Sequence, residues 1–462
     1  MVPDRRSIAW AAILTPLIVI LLTLGWFHRE NSGPLIGYPE DNDITLPEPE
    51  PVPEPTVPTV PTPKPEPAPE PATAPVVAGY FVNWAIYDRN YNVIDLARDS
   101  DKLSHVLYAF ADLNDDGTIV LGDAWADTDK HFEASQTVDG HKDTWKEAPD
   151  NNLYGNLKQL HLLKKNKRHL KVSLSIGGWS WSTNFSTIAT NTQKRHQFAT
   201  TAVEHVATLG LDGIDIDWEF PKNANEAEGY VELLSAVRQA LDSYQHETKD
   251  KDRFLLSVAM PCGPDNYNIL KLGAMEPFVD LFYLMAYDFS GDWDKTTGHQ
   301  SALFDAPLNV DQAVRHFIKA GVPSHKLVLG LPVYGRGFLG AKGPGSAFTS
   351  LPKGTWDLGA YDYKDLPPPG SSEYFDEAKV ASWSFNPTSK EYVTYDTPEV
   401  IEHKCDYIKS KGLGGAMFWE LSADYHGDHP RSLLNTVHRK LGSPDQTPNH
   451  IEFPNSRYEN IK

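Results

Sequence analysis

The sequence predicts an α/β chain folded as a closed (β/α)8 (TIM) barrel, with a small α+β insertion between the seventh and eighth strands. Three observations carry that expectation: eight short apolar runs between residues 76 and 419, amphipathic stretches between them, and one over-long gap before the last run. The runs are 76–83, 103–111, 170–176, 213–220, 254–260, 279–285, 327–333 and 415–419. Each is short, apolar and bounded by polar or turn-forming residues, as buried strands are. Residues 192–209, 226–244 and 310–320 instead repeat their apolar positions with a helical period. Alternation of this kind over several hundred residues argues for a parallel sheet, and eight units favour closure into a barrel. The stretch from Gly335 to about Tyr395 is too long for a plain loop. It holds strand-like pieces at 381–385 and 392–394, so 336–395 is read as the insertion.

The chain before the barrel has a different character. Residues 8–27 carry no charge and follow Arg5 and Arg6, so 1–28 reads as a signal peptide or a single transmembrane anchor. The length of the apolar stretch and the lack of an A-x-A site favour the uncleaved anchor, with Thr23-Leu24-Gly25 as the candidate cleavage site. Either fate sends the remainder to the extracellular or cell-wall side. Residues 29–75 form a Pro/Glu-rich linker: from Pro47 to Pro75, 13 of 29 residues are proline. Such a segment samples extended polyproline II at about 3.1 Å per residue, a spacer of up to roughly 90 Å. The barrel is assigned to 76–442 and a C-terminal tail to 443–462.

Composition narrows the function. With 42 basic and 62 acidic residues the net charge is −20, a surface that repels phosphates and excludes nucleic acid as the main partner. Cys262 and Cys405 allow one disulfide at most, so stability must come from a buried core. The 12 Trp, 20 Tyr and 19 Phe exceed what packing needs, and aromatic faces are what sugar rings stack on. Asn184-Phe185-Ser186 is an N-glycosylation sequon, consistent with an exported chain.

The densest chemical signal is Asp212-Gly-Ile-Asp215-Ile-Asp217-Trp-Glu219. On a strand, Asp215, Asp217 and Glu219 share one face at about 6.6 Å per step, while Ile214, Ile216 and Trp218 take the other. Like charges that close cannot all ionise, so the row shares protons, and a carboxyl near the open end of the strand has its pKa raised towards neutrality. That is how a general acid is made, and the C-terminal strand ends are where a barrel carries its chemistry. A divalent-cation site could use the same acids, but the calcium-loop glycine is missing and no His joins the row. A purely structural row is the remaining reading, disfavoured because charge inside a barrel needs pairing or a proton.

The sequence resembles glycoside hydrolase family 18, and most closely the fungal-type class V endochitinases. The resemblance spans about 76–428 and rests on the acidic signature at Asp212, Asp215, Asp217 and Glu219. It also rests on Gly79-Tyr80-Phe81-Val82-Asn83-Trp84, Leu107-Tyr108-Ala109-Phe110, Ser175-Ile176-Gly177-Gly178-Trp179, Met285-Ala286-Tyr287-Asp288, Tyr334-Gly335-Arg336 and Gly414-Gly415-Ala416-Met417-Phe418-Trp419. The family implies hydrolysis of β-1,4 bonds between N-acetylglucosamine units, with the substrate's own acetamido oxygen as nucleophile. By resemblance Glu219 is the acid, Asp217, alone or paired with Asp215, holds the acetamido N–H, and Tyr287 bonds its oxygen. Trp419 would floor the cleft, lined by Tyr80, Phe110, Trp179, Ala259, Met285, Asp288 and Arg336. The resemblance implies a monomer acting on chitin and chito-oligosaccharides without cofactor or metal. One departure is Cys262 in Met260-Pro261-Cys262-Gly263-Pro264, where relatives usually carry alanine. An endo-β-N-acetylglucosaminidase acting on N-glycan cores and a chitin-binding lectin are the alternatives, the lectin disfavoured because Glu219 is present.

Overall fold

The computed structural model describes residues 74–144 and 151–462. Eight parallel strands close a barrel: β1 (Val76–Val82), β2 (His105–Leu113), β4 (Lys171–Gly177), β5 (Gly213–Asp217), β6 (Leu255–Pro261), β7 (Leu281–Met285), β8 (Leu327–Pro332) and β14 (Gly415–Trp419). Each strand neighbours the next in this series, and β1 closes the ring by pairing with both β14 and β2. All eight apolar runs are therefore barrel strands. A short β3 (Ile119–Leu121) adds an antiparallel hairpin to β2 that the sequence reading did not include.

The helices cover the strands where the periodicity places them. Thr192–Leu209 matches the expected bounds because both ends are marked chemically. Asn191 accepts from the Gln193 and Lys194 N–H groups at the start, and Gly210 turns left-handed (φ 72°) at the end. The helix Ala224–Thr248 starts likewise at Asn223, and Val310–Lys319 at Asn309.

Three expectations change. The run 213–220 is a strand only to Asp217, where pairing with Gly177 of β4 ends. Beyond it the buried Trp218 is pinned between Phe185, stacked at 5.5 Å, and Tyr230, edge-on at 5.2 Å. The insertion is a five-stranded antiparallel sheet, not α+β. It runs in the order β10 (Ala360–Asp362), β9 (Tyr334–Leu339), β13 (Glu391–Thr394), β12 (Ala381–Asn386), β11 (Ser372–Asp376). Among its described residues the only helical turn is the 3-10 turn Tyr363–Asp365. The sheet also begins at Tyr334, with only Val333 between it and the end of β8, so the insertion grows directly out of a barrel strand.

The third change concerns residues 443–462, which are built into the barrel's closed end and are no loose tail. Asn449 donates through its amide to the carbonyls of Lys164 (3.0 Å), Lys167 (3.2 Å) and Leu170 (2.8 Å). The His450 N–H reaches Asp212 Oδ1 at 2.8 Å. Asp212 Oδ2 takes the Val172 N–H at 2.6 Å and the Lys164 ammonium at 2.8 Å, with both side chains fully buried. Lys164 also lies 5.2 Å from the centre of the buried Phe453 ring. Asp212, the first acid of the signature, thus stands apart from the row of Asp215, Asp217 and Glu219: it precedes β5 and ties the opposite end of the barrel together.

Among the described residues no helix is long and apolar enough to cross a membrane. The apolar segment 8–27, and the linker up to residue 73, lie outside the described residues.

Because Phe453 is fully buried beside an ion pair, Phe453→Ala should cost about 3 kcal/mol or more. Equilibrium urea unfolding measures it, and a surface-like loss under about 0.5 kcal/mol would show that the C-terminal segment is dispensable.

Candidate active site

Along β5 the side chains alternate as the period-two reading requires: Ile214 and Ile216 are buried on one face, Asp215 and Asp217 on the other. The two aspartates have opposite surroundings. Asp215 accepts from Ser257 Oγ at 2.7 Å, Ser175 Oγ at 2.7 Å and Tyr80 Oη at 3.0 Å. Burial raises its pKa and these three donors oppose the rise, leaving it above the ordinary range. Asp217 has no such support, and its Oδ1 is buried without a hydrogen-bond partner. Burial, then the nearby Glu219 and Asp215 charges, hold its pKa far above the ordinary value.

Glu219 lies two residues past the end of the strand and is half-buried. Its backbone N–H donates to Ser182 Oγ at 2.8 Å, and among the described residues no side chain bonds its carboxyl group. Its pKa is pushed up to about 7, first by burial and then by the charge of Asp288. The sequence reading attributed such a rise to crowding within the acid row. For Glu219 the structure gives the larger part to desolvation and the charge to a residue beyond β7.

Asp288 holds a left-handed backbone (φ 58°) just after β7, and its Oδ1 accepts from both Tyr334 Oη and Arg336 Nε at 2.6 Å. The Arg336 guanidinium lies 4.8 Å from the centre of the Trp293 ring. Asp288 and Arg336 thus join the barrel mouth to the inserted sheet. Tyr287, half-buried, has its phenol pKa raised by burial and then by Asp217, so it remains a proton donor at any working pH.

The floor is aromatic. Trp419, the last residue of β14, meets Tyr80 edge-on at 5.0 Å and stacks on Phe110 at 5.7 Å. A Cβ at Gly178, whose φ is +77°, would lie 2.8 Å from the Phe110 ring, so this glycine is required where the β4 loop crosses the floor. Ala259 sits two residues beyond Ser257 on the same face of β6, buried, and Met285 ends β7 half-buried. Trp179 is set apart from this group, projecting from the β4 loop with 78% of its surface exposed.

Sequence reasoning missed several residues. Ser175 and Ser257 were visible as polar positions inside apolar runs, which is a usable signal for an inward-facing donor. Trp84 and Trp125 on short helical turns, Trp293 on a loop and Trp356 in the insertion are exposed indoles, and Tyr87 stacks on Trp125 at 5.9 Å. Only Trp84 lay within a quoted motif. Both cysteines are free and buried, and burial pushes the Cys262 thiol up, leaving it inert near the mouth.

A carboxyl whose pKa is raised to about 7, beside an unpartnered aspartate at the C-terminal end of a (β/α)8 barrel strand and close to an aromatic cluster, defines a barrel enzyme equipped for general-acid chemistry. Residues 76–424 match the Glycosyl hydrolases family 18, and the chain belongs to that family. It is 44% identical over 392 residues to Chitinase 1 of Aphanocladium album, covering 83% of this chain and 90% of that one. Endochitinase 1 of Metarhizium robertsii is also 44% identical, over 84% of this chain and 90% of its own. Among solved structures, the catalytic domain of the psychrophilic chitinase B from Arthrobacter TAD20 superposes with a TM-score of 0.73. It is 30% identical, with 80% of this chain and 95% of that chain covered.

The Glu219 pKa has a consequence for stability with a definite sign. A carboxyl raised from 4.5 to about 7 binds its proton more tightly in the folded state. Its contribution is therefore full below about pH 4.5 and is lost as pH rises through about 7. Glu219→Gln should match the wild type in unfolding free energy at pH 4 and exceed it at pH 8, by on the order of 2 kcal/mol. Parallel denaturant titrations at the two pH values check this, and a variant less stable than wild type at pH 8 would contradict the burial argument.

Proposed function

We propose that the protein is an endochitinase that hydrolyses β-1,4 linkages between N-acetylglucosamine units by substrate-assisted catalysis with retention. The observation that carries the proposal is the buried Oδ1 of Asp217, an acceptor with no partner beside Asp215, which takes three hydroxyl donors. A buried acceptor of this kind calls for a ligand donor, and the N–H of an acetamido group supplies one.

The steps follow from the side chains. Glu219, protonated up to about pH 7, gives its proton to the glycosidic oxygen as the bond to the anomeric carbon breaks. The acetamido oxygen of the same sugar closes on the anomeric carbon from the other side, so no second carboxylate nucleophile is needed. Asp217 accepts the acetamido N–H and stabilises the positive charge of the cyclic intermediate, while the Tyr287 hydroxyl donates to the acetamido oxygen and orients it. Asp215, tied to two serines and Tyr80, keeps a fixed charge or proton behind Asp217. Water then opens the intermediate, Glu219 takes the water's proton, and the anomeric configuration is retained.

Trp419 with Tyr80 and Phe110 gives the sugar an apolar bed, and the exposed Trp84, Trp125, Trp179, Trp293 and Trp356 offer further stacking faces for a polymer. These faces and the inserted sheet support an extended neutral substrate over a branched N-glycan core. Digestion of chitohexaose beside a high-mannose glycopeptide separates the two substrates.

Glu219→Gln should lower turnover by about 10² to 10⁴ while oligosaccharide binding persists. Near-wild-type turnover would remove the acid role from Glu219. Early in the wild-type reaction NMR should show the β-anomer as first product, and fully deacetylated chitosan should not be cut. An initial α-anomer would mean direct attack by water, ending the roles given to Asp217 and Tyr287.

The uncharged stretch 8–27 supports export, with the catalytic barrel on the extracellular or cell-wall side, either secreted or anchored. Cell fractionation with N-terminal sequencing of the isolated enzyme decides between them. A membrane fraction resisting carbonate extraction is expected of the anchor, a soluble form starting near residue 26 of the cleaved signal, and a cytosolic pool of intact enzyme would overturn both.

A further inference from the structure

The general acid is held by unusual means. Strand pairing beside β5 stops at Asp217, so Trp218 and Glu219 extend past the ladder that fixes the rest of the row. Trp218 is secured by its ring, buried between Phe185 and Tyr230. Glu219 has neither a strand partner for its N–H nor a side-chain bond on its carboxyl group among the described residues. Its N–H goes to one atom, Ser182 Oγ, at 2.8 Å.

Ser182 comes from the loop after β4 and is buried, 6% exposed. Its hydroxyl proton goes to the carbonyl of Gly178 at 2.9 Å, with the Asp217 carbonyl at 3.3 Å, leaving an oxygen lone pair for the Glu219 N–H. The Gly178 N–H in turn donates to the Asp217 carbonyl at 2.8 Å. The β4 loop and the β5 extension are thus cross-linked by a closed circuit of backbone groups that passes through one hydroxyl. Alanine cannot complete that circuit: it removes the acceptor and leaves a backbone N–H without its partner.

We propose that Ser182 is a positioning residue for the reaction, its hydroxyl standing in for the missing strand partner of the Glu219 N–H and so fixing where the acid is presented to the glycosidic oxygen. The proposal rests on the reading of Glu219 as general acid. Misplacement of a reacting group by about 1 Å is enough to cost on the order of 100-fold in rate, so a backbone tether is a sufficient lever.

The test uses Ser182→Ala, Ser182→Thr and the double variant Ser182→Ala/Glu219→Gln, each assayed on chitohexaose with thermal unfolding recorded alongside. Ser182→Ala should lower kcat by about 10-fold to 100-fold and leave KM within about two-fold of the wild type. Ser182→Thr, which keeps the hydroxyl, should recover most of that loss. In the double variant the alanine should add nothing to the effect of Glu219→Gln, because both act through the same carboxyl group. A folded Ser182→Ala enzyme with wild-type kcat, or an alanine effect that multiplies with that of Glu219→Gln, would overturn the proposal. If Ser182→Ala fails to fold, a Ser182→Thr enzyme that folds with kcat as low as Glu219→Gln would also overturn it. The failure of the general-acid reading is seen separately, as undiminished turnover in Glu219→Gln alone.

Discussion

The site depends on the cost of placing carboxyl groups inside a closed barrel. Asp215 and Asp217 are carried inward by two-residue alternation, Glu219 follows two residues past the end of the strand, and burial, the largest contribution for each, works against their charge. The surroundings then separate the three. Asp215 receives three hydroxyl donors, Asp217 receives none, and Glu219 stands at the mouth near Asp288. One chemical group repeated along the chain thereby acquires three characters: a satisfied support, an unsatisfied acceptor and a carboxyl whose pKa is raised to about 7.

The same cost accounts for the neighbours. Ser175, Ser257 and Tyr80 come from three different strands and converge on one carboxylate. Tyr334 and Arg336 come from the insertion and converge on Asp288. Asp215 and Asp288 are thus answered by residues from elsewhere in the chain, whereas Asp217 Oδ1 and the Glu219 carboxyl group have no side-chain partner among the described residues. The inserted sheet therefore takes part in the site, because through Arg336 and Asp288 it touches the electrostatics of Glu219.

What could be read from the sequence was what repeats locally. The helix Thr192–Leu209 declares its ends through Asn191 and Gly210, and the acid row declares its face through alternation with isoleucine. Asp212 was harder, since its spacing places it in the signature while its contacts with Lys164, Val172 and His450 place it at the other end of the barrel. The insertion misled because short, half-exposed strands such as Ser372–Asp376 carry no clean alternation. Ser182 and Asn449 were illegible for a different reason. Each acts by a side-chain bond to the backbone of a distant segment, and such bonds leave no period in the sequence.

The clamp at the closed end has a bearing on when the enzyme becomes complete. Asp212 immediately precedes the strand that carries Asp215 and Asp217, and its Oδ1 is satisfied by the N–H of His450, 238 residues further along the chain. Synthesis must therefore pass His450 before the residue that opens this strand gains that backbone partner. Until then the barrel is a partial assembly whose closed end awaits a segment made long after its strands.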